Sequence, residues 1–346
     1  MSVLDPSKQR SPRNRTISIS KEDRNRLLPK LITSLPMYPL TSPITGTVHG
    51  DYRDWAKVLP PKHVDLLFLD PPYNLDKSFN GKKFTRQTIE DYTAWLDTIL
   101  IVLKPLLKPT ATIYICGDWF SSLSIFQVAS KYFTVRNRIT WEREKGRGAN
   151  ANWKNSSEDI WFCTVSEKYT FNIESVKLRR KVIAPYTLSN GQPKDWSRCT
   201  DGNFRDTHPS NIWTDITIPF WSMPENTDHP TQKSEKLLAK IILASTNSED
   251  FVLDPFLGSG TTSIVAKKLG RKFLGIELDE EYCLLAAERL ELADINKTIQ
   301  GFGDGVFWER NTLAEQQAFS KNENSNGNSS KNGNGIRDLF SLINHD

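Results

Sequence analysis

Val64-Asp65-Leu66-Leu67-Phe68-Leu69 is an almost wholly apolar run that stops abruptly at Asp70-Pro71-Pro72-Tyr73. It lacks the polar gaps of an amphipathic helix, so it reads as a strand covered on both faces of a parallel sheet. Neither proline can donate to a ladder, and the strand must end there. Asp70 is thereby held at the carboxyl edge of a sheet, where open α/β folds bind ligands. Two successive prolines stiffen the backbone, so the Asp70 carboxylate and the Pro71 carbonyl can aim at one target. Such a pair of acceptors suits an exocyclic amine such as adenine N6 or cytosine N4, whose lone pair is delocalised into the ring. Two acceptors favour a tetrahedral nitrogen and stabilise the positive charge that grows on it during attack. Tyr73 offers a flat face to a base swung out of its duplex.

A second strand-to-turn unit lies far downstream, at Phe251-Val252-Leu253-Asp254-Pro255-Phe256-Leu257-Gly258-Ser259-Gly260-Thr261-Thr262. Its glycines let backbone approach a ligand closely, and the amide end of the following helix favours an anion. No Gly-Lys-Ser/Thr follows, which excludes a phosphate loop. Phe273 to Glu277 is the next strand, and its terminal acid lies 19 residues after Gly258, near the spacing that places an acid on a ribose. Just upstream, His229-Pro230-Thr231-Gln232-Lys233 leads into a helix carrying Leu237, Leu238, Ile241 and Ile242. Thr231 is expected at the helix N-terminus, where its hydroxyl and nearby amides would hold a carboxylate.

Asp70-Pro71-Pro72-Tyr73 resembles the signature of the amino-methyltransferases of DNA, which methylate adenine N6 or cytosine N4 from S-adenosyl-L-methionine. His229 to Lys233 and the glycine turn resemble the same family's motifs. The catalytic strand precedes the glycine turn, as in the circularly permuted beta group. The resemblance spans about Thr45 to Leu292 and implies a doubly wound, mostly parallel seven-stranded α/β sheet of the Rossmann-like methyltransferase type. It implies catalysis by Asp70, Pro71, Pro72 and Tyr73. The cofactor would be held by Asp51, Thr231, Gln232, Lys233, Asp254, Pro255, Phe256, Gly258, Ser259, Gly260, Thr261, Thr262 and Glu277. Of these Asp51, in Gly50-Asp51, would lie near the cofactor's adenine amine; its alternative is a turn or N-cap role.

Between the two motifs, Trp141, Lys145, Arg147, Trp153 and Lys154 interleave flat and basic side chains, as a loop gripping phosphates and bases would. The family places an aromatic ring over the flipped base, and Trp141 and Trp153 both qualify. Residues 165–228 hold Arg179, Arg180, Trp196, Arg198 and Arg205 and are read as an inserted target-recognition region. The expected organisation is a basic, mostly disordered arm over 1–45 and a catalytic half over 46–164. The insertion follows, then a cofactor half over 229–295 and a largely low-complexity tail over 296–346. In that tail the Asn/Ser/Gly tract Lys321 to Gly335 cannot bury a core, and Ile336 to Ile343 could form a short docking helix.

A net charge of only +4 excludes a uniformly basic coat and leaves nucleic-acid contact to local patches. Cys116, Cys163, Cys199 and Cys283 form no Cys-x-x-Cys pair, and none follows a proline as in cytosine C5 methyltransferases. The five histidines show no zinc spacing, and no metal is expected. With no secretory leader or spanning apolar stretch, the expectation is a reduced, cytoplasmic, nucleoid-associated protein with no membrane partner. The acid at position 70 is more usual in the adenine enzymes of that family, making adenine N6 in double-stranded DNA the first reading and cytosine N4 the runner-up. RNA methylation and non-catalytic DNA binding are the more distant alternatives. A cognate restriction endonuclease and a homodimer are the protein partnerships considered.

Overall fold

The computed structural model describes residues 11–79, 82–143, 151–182, 186–199, 202–312 and 316. In chain order, α1 (Lys21–Leu27) precedes β1 (Gly46–His49), α2 (Tyr52–Val58) and β2 (Val64–Leu69). A small hairpin, β3 (Lys77–Phe79) and β4 (Lys82–Phe84), leads to α3 (Ile89–Leu103), β5 (Leu107–Gly117) and α4 (Ser122–Tyr132). Then come β6 (Thr134–Glu142), β7 (Ser157–Thr164), β8 (Leu178–Lys181), β9 (Ser197–Cys199), β10 (Gly202–Thr207) and β11 (Ile212–Trp213). The chain continues through α5 (Glu235–Ser245), β12 (Phe251–Asp254), α6 (Thr261–Lys268), β13 (Lys272–Glu277) and α7 (Glu280–Ile295), ending in β14 (Phe302–Gly303) and β15 (Val306–Trp308).

The central sheet has the order β1-β13-β12-β2-β5-β7-β6-β11. Strands from β1 to β5 are parallel, while β7 runs antiparallel to both β5 and β6. Helices cover both faces, as a parallel sheet requires. Trp55, Leu96, Leu100 and Ile125 pack on one side; Leu238, Ile242 and Val265 pack on the other. Leu66, Leu67 and Leu253 are fully buried at the middle of the sheet, consistent with the unbroken apolar run of β2. This is the expected doubly wound architecture with eight strands rather than seven. The eighth is β11, from within residues 165–228, pairing in parallel with β6.

Two terminal segments are ordered where the sequence suggested otherwise. Ser20 caps α1 with a reciprocal capping box through Asp23. Leu27 is buried with Leu284 and Ala287 of α7, and Arg24 and Arg26 ion-pair with Glu280, Glu281, Glu288 and Glu291. Thus residues 11–45 are not a free arm. A single helix of seven residues offers too few turns for its period to register, and its apolar residues find their partners on the other side of the sequence.

The start of the tail is likewise structural. β14 and β15 join β8, β10 and β9 in a five-stranded second sheet, where β15 pairs in parallel with β8 and Trp308 is buried against Phe204. Residues 165–228 therefore contribute strands to two sheets. The low-complexity tract from Lys321 and the suggested helix at Ile336 to Ile343 lie outside the described residues. Among the described residues, no helix is long and apolar enough to cross a membrane.

Candidate active site

Sheet register brings four carboxylates to one rim. Leu67 pairs with Leu253, so Asp70 and Asp254 emerge beside each other; Asp254 faces Gly275, and His49 faces Glu277, which places Asp51 at the same edge. These strand ends open on a cavity of about 500 Å³ lined by Asp51, Asp70, Pro71, Tyr73, Thr231, Lys233, Gly258, Ser259 and Glu277. The acid-proline loop and the glycine turn thus share a single chamber.

The loop after β2 is rigidly tied. Tyr73 Oη donates to Asp70 Oδ1 at 2.8 Å, Tyr92 Oη donates to the Pro72 carbonyl at 3.0 Å, and Asn74 N donates to Ser121 Oγ at 3.1 Å. Burial and the Asp70 charge push the Tyr73 phenol well up, so it stays a neutral donor. Lys233, expected among the cofactor ligands, points instead at this loop. Its Nζ donates to Asp70 Oδ2 at 2.6 Å and to Tyr73 Oη at 3.2 Å. Burial works against the ammonium, but the carboxylates of Asp70 and Glu158 outweigh it and hold the Lys233 pKa above its ordinary value.

Around the glycine turn, Gly258 has φ +54°, and a Cβ there would meet His229 Nε2 at 3.0 Å. His229 in turn packs edge-on against Tyr282 with ring centroids 4.3 Å apart. Glu277 Oε2 accepts from Gly258 N at 2.8 Å and Oε1 from Asp279 N at 2.9 Å, while Asp279 caps α7. Burial pushes the Glu277 carboxyl up against the pull of these amides. Pro255 leads into Phe256, whose ring lies 5.1 Å from that of Tyr52 at the rim. Asp51 both caps α2 and pairs with Arg53, so its local role is present alongside its place on the cavity.

Several expected ligands are spent on holding the loops. Asp254 accepts from Phe256 N at 3.0 Å and from Thr262 Oγ1 at 2.6 Å, clamping the turn between β12 and α6. Thr261 Oγ1 donates to the Lys233 carbonyl at 3.1 Å, which fixes one motif against the other. Gln232 is buried with its amide engaged, accepting from Thr227 and donating to the Glu225 carbonyl. Thr231 lines the cavity but does not begin the helix; Ser234 is the N-cap of α5, because its hydroxyl accepts from Lys236 N.

Asp254 carries a testable consequence. Burial pushes its carboxyl up to about 7, opposed by the bonds from Thr262 and Phe256. A raised carboxyl holds a proton in the folded state that the unfolded chain releases, so its contribution to stability is complete below the unfolded value of 3.8 and is lost as pH rises toward about 7. Asp254→Asn is expected to remove that decline, giving a flatter dependence of Tm on pH over this window. Parallel melting curves for the two proteins would contradict the assignment.

The expected nucleic-acid residues divide sharply. Trp141 is buried at 1% exposure and donates Nε1–H to the Ile216 carbonyl at 3.0 Å, so it is a core residue and not a base-stacking face. Trp153 is 95% exposed. Trp196 is also buried, donating to the Tyr186 carbonyl at 2.6 Å. Arg179 makes a two-pronged bond to Asp206 and lies across Trp308, which ties the second sheet together. Arg205 pairs with Asp195 at 2.9 Å, and Arg180 lies 3.6 Å from Glu309. Lys154 is exposed, and Arg198 pairs through its backbone with Asn203. Lys145 and Arg147 lie outside the described residues.

Sequence reasoning passed over Glu158, Arg143, Tyr52 and Tyr282, all of which line the cavity. For Glu158 a signal existed: it is one of two adjacent acids leading directly into the apolar run Ile160 to Cys163 of β7, and the structure leaves it only 3% exposed. A buried acid in such a place requires a cation, and Arg143 and Lys233 supply two.

Residues 64–288 match the family described as DNA methylase. DNA adenine methyltransferase YhdJ of Escherichia coli (strain K12) is 35% identical over 254 residues, covering 71% of this chain and 82% of that protein. Type II methyltransferase M.BglII of Bacillus subtilis is 30% identical over 285 residues, covering 79% of this chain and 76% of its own. The solved PvuII DNA methyltransferase (cytosine-N4-specific) aligns with a TM-score of 0.54 over 85% of this chain and 97% of that one at 18% identity, a likeness of fold.

Proposed function

This chain belongs to the DNA methylase family, and we propose that it is a site-specific enzyme transferring the methyl group of S-adenosylmethionine to the exocyclic N6 of adenine in double-stranded DNA. One observation carries the reading: Asp70-Pro71-Pro72-Tyr73 and the turn at Gly258 to Gly260 open on the same cavity.

The residues on the cofactor side fit such a donor. Gly258 leaves a space beside His229 that a Cβ would fill, Glu277 presents a carboxylate for ribose hydroxyls, and Tyr52 with Phe256 offers an aromatic wall for an adenine ring. Bound there, S-adenosylmethionine supplies an electrophilic methyl on a sulfonium. Asp70 would accept a hydrogen from the target amine, with the Pro71 carbonyl as the second acceptor, so that positive charge developing on nitrogen meets a preorganised dipole and anion. Tyr73 keeps Asp70 oriented through its phenol and offers its ring to the extruded base.

Adenine is favoured over cytosine by the acid at position 70 and by the similarity to a relative described as a DNA adenine methyltransferase. Within the same reading, residues 165–228 read the target sequence, and the exposed Trp153 stands nearest to a base-stacking role of the two tryptophans considered. The similarity to M.BglII, described as a type II methyltransferase, supports extending the role to the modifying half of a restriction system. Its substrate would place the protein at the nucleoid.

Incubation with unmethylated bacterial DNA and S-adenosylmethionine, followed by digestion to nucleosides and mass analysis, tests the assignment. N6-methyldeoxyadenosine is expected. N4-methyldeoxycytidine would transfer the reading to the cytosine enzymes, and unmodified nucleosides would remove it.

A further inference from the structure

Lys233 sits where two buried carboxylates converge. Its Nζ lies 2.6 Å from Asp70 Oδ2 and 3.3 Å from Glu158 Oε2, and its side chain is 6% exposed. Glu158 Oε1 is taken by Arg143, but among the described residues Oε2 accepts no hydrogen bond. A buried carboxylate oxygen without a donor is a costly arrangement that native structures seldom keep without purpose. The ammonium carries three donors, and Asp70 and Tyr73 use two. At the same time each Asp70 oxygen already accepts a hydrogen bond, Oδ1 from Tyr73 and Oδ2 from Lys233, so the target amine must compete with them for the same carboxylate.

We propose that Lys233 is a positioning residue of the methyl transfer: it holds Asp70 in the empty pocket and is displaced onto Glu158 Oε2 by the incoming exocyclic amine. This rests on the reading of Asp70 as the amine's acceptor. The exchange breaks one hydrogen bond to Asp70 and forms one to Glu158, and no proton is transferred. The ammonium stays in the pocket, so the exchange moves a hydrogen bond and leaves the cation beside both carboxylates.

The surroundings make that cation matter. Asp70 acts electrostatically on Tyr73 of its own loop, Tyr92 of α3, Cys116 of β5 and Asp254 of β12, and Asp118, Glu158 and Glu277 line the same cavity. Acids predominate. Of the Lys and Arg side chains that line this cavity among the described residues, Lys233 touches Asp70, Arg143 lies on the other side of Glu158, and Arg53 is paired with Asp51. Without Lys233, two carboxylates would confront each other in a buried site, and one would take up a proton at higher pH.

Turnover measured with labelled S-adenosylmethionine and unmethylated genomic DNA tests the displacement. Lys233→Met is expected to move the acid limb of kcat/KM upward by about one to three pH units, with cofactor affinity unchanged. Adding Glu158→Gln removes the like charge and should return the limb toward the parent. Glu158→Gln alone leaves the limb in place. There Arg143 retains the amide oxygen and the amide N–H₂ faces Lys233, so the amine must displace a cation with nowhere to go. KM for DNA should then rise about tenfold, one charged hydrogen bond in equilibrium. A folded Lys233→Met enzyme with the parental pH profile, or with lost cofactor affinity, overturns the proposal. If Lys233→Met does not fold, Glu158→Gln alone decides, and a parental KM for DNA overturns it. Near-normal turnover in Asp70→Ala would instead remove the underlying assignment of Asp70.

Discussion

Asp70→Ala is expected to lower kcat for methyl transfer by about 10²–10³-fold, the loss seen when one preorganised group facing developing charge is removed. Affinity for S-adenosylmethionine should be largely kept. The reason lies in the division of the chamber: Asp70 belongs to the β2 loop, whereas the glycine turn is clamped by Asp254, Glu277 and Thr261. Nor should the variant leave a buried charge stranded. Lys233 already has Glu158 Oε2 at 3.3 Å and can turn to it when Asp70 is gone. Asp70→Asn provides an internal comparison, since its amide oxygen still accepts a hydrogen but carries no charge, and it should fall between parent and alanine. Single-turnover rates and equilibrium cofactor binding on the three proteins separate chemistry from affinity. An alanine variant that turns over normally would end the assignment of Asp70. One that loses the cofactor altogether would show that the two halves of the cavity are not independent.

The parts legible in the sequence are those whose cause is local. An apolar run broken by Asp70 and two prolines forces a strand end, and Gly258 with its positive φ marks a turn, so both loops could be read without coordinates. That they share a cavity depends on β2 pairing with β12, which no local pattern reports. Lys233 illustrates the limit: the resemblance of the motif groups it with Thr231 and Gln232, but successive side chains before a helix point in different directions. One reaches Asp70 while its neighbour is locked to Glu225. Trp141 could have been assigned to the core, because Ile139 and Trp141 are apolar residues two positions apart and alternate residues of a strand share a face, and both are buried on β6. Trp308 could not, since β15 is three residues long and its partner strand β8 lies far away in sequence.

The residue least visible in the sequence carries the second large effect. Arg289 lies within α7 among alanines and leucines and is 2% exposed. Its Nη1 donates to the Ser259 carbonyl at 2.8 Å and to Thr261 Oγ1 at 3.0 Å, and its Nη2 to Glu235 Oε1 at 3.2 Å. Glu225 is next to Glu235, and burial together with that neighbouring charge pushes its carboxyl up. Arg289→Met keeps most of the side-chain volume but removes the cation from a buried acid pair. Breaking a buried pair in this way costs about 3–5 kcal/mol, and the lower end is expected because Lys268 stays on Glu235 at 2.6 Å. Since a raised carboxyl stabilises the fold only while it holds its proton, the variant should weaken further as pH rises above the ordinary carboxylate range. The double variant Arg289→Met/Glu235→Gln should recover much of the loss. Cofactor affinity should fall too, because the Ser259 carbonyl and the Thr261 hydroxyl lose the donor that sets the glycine turn. Denaturant unfolding of the three proteins with and without S-adenosylmethionine measures both effects. A single variant destabilised by well under about 1 kcal/mol, the size of an ordinary surface change, would mean that Arg289 is not what holds these acids and this turn together.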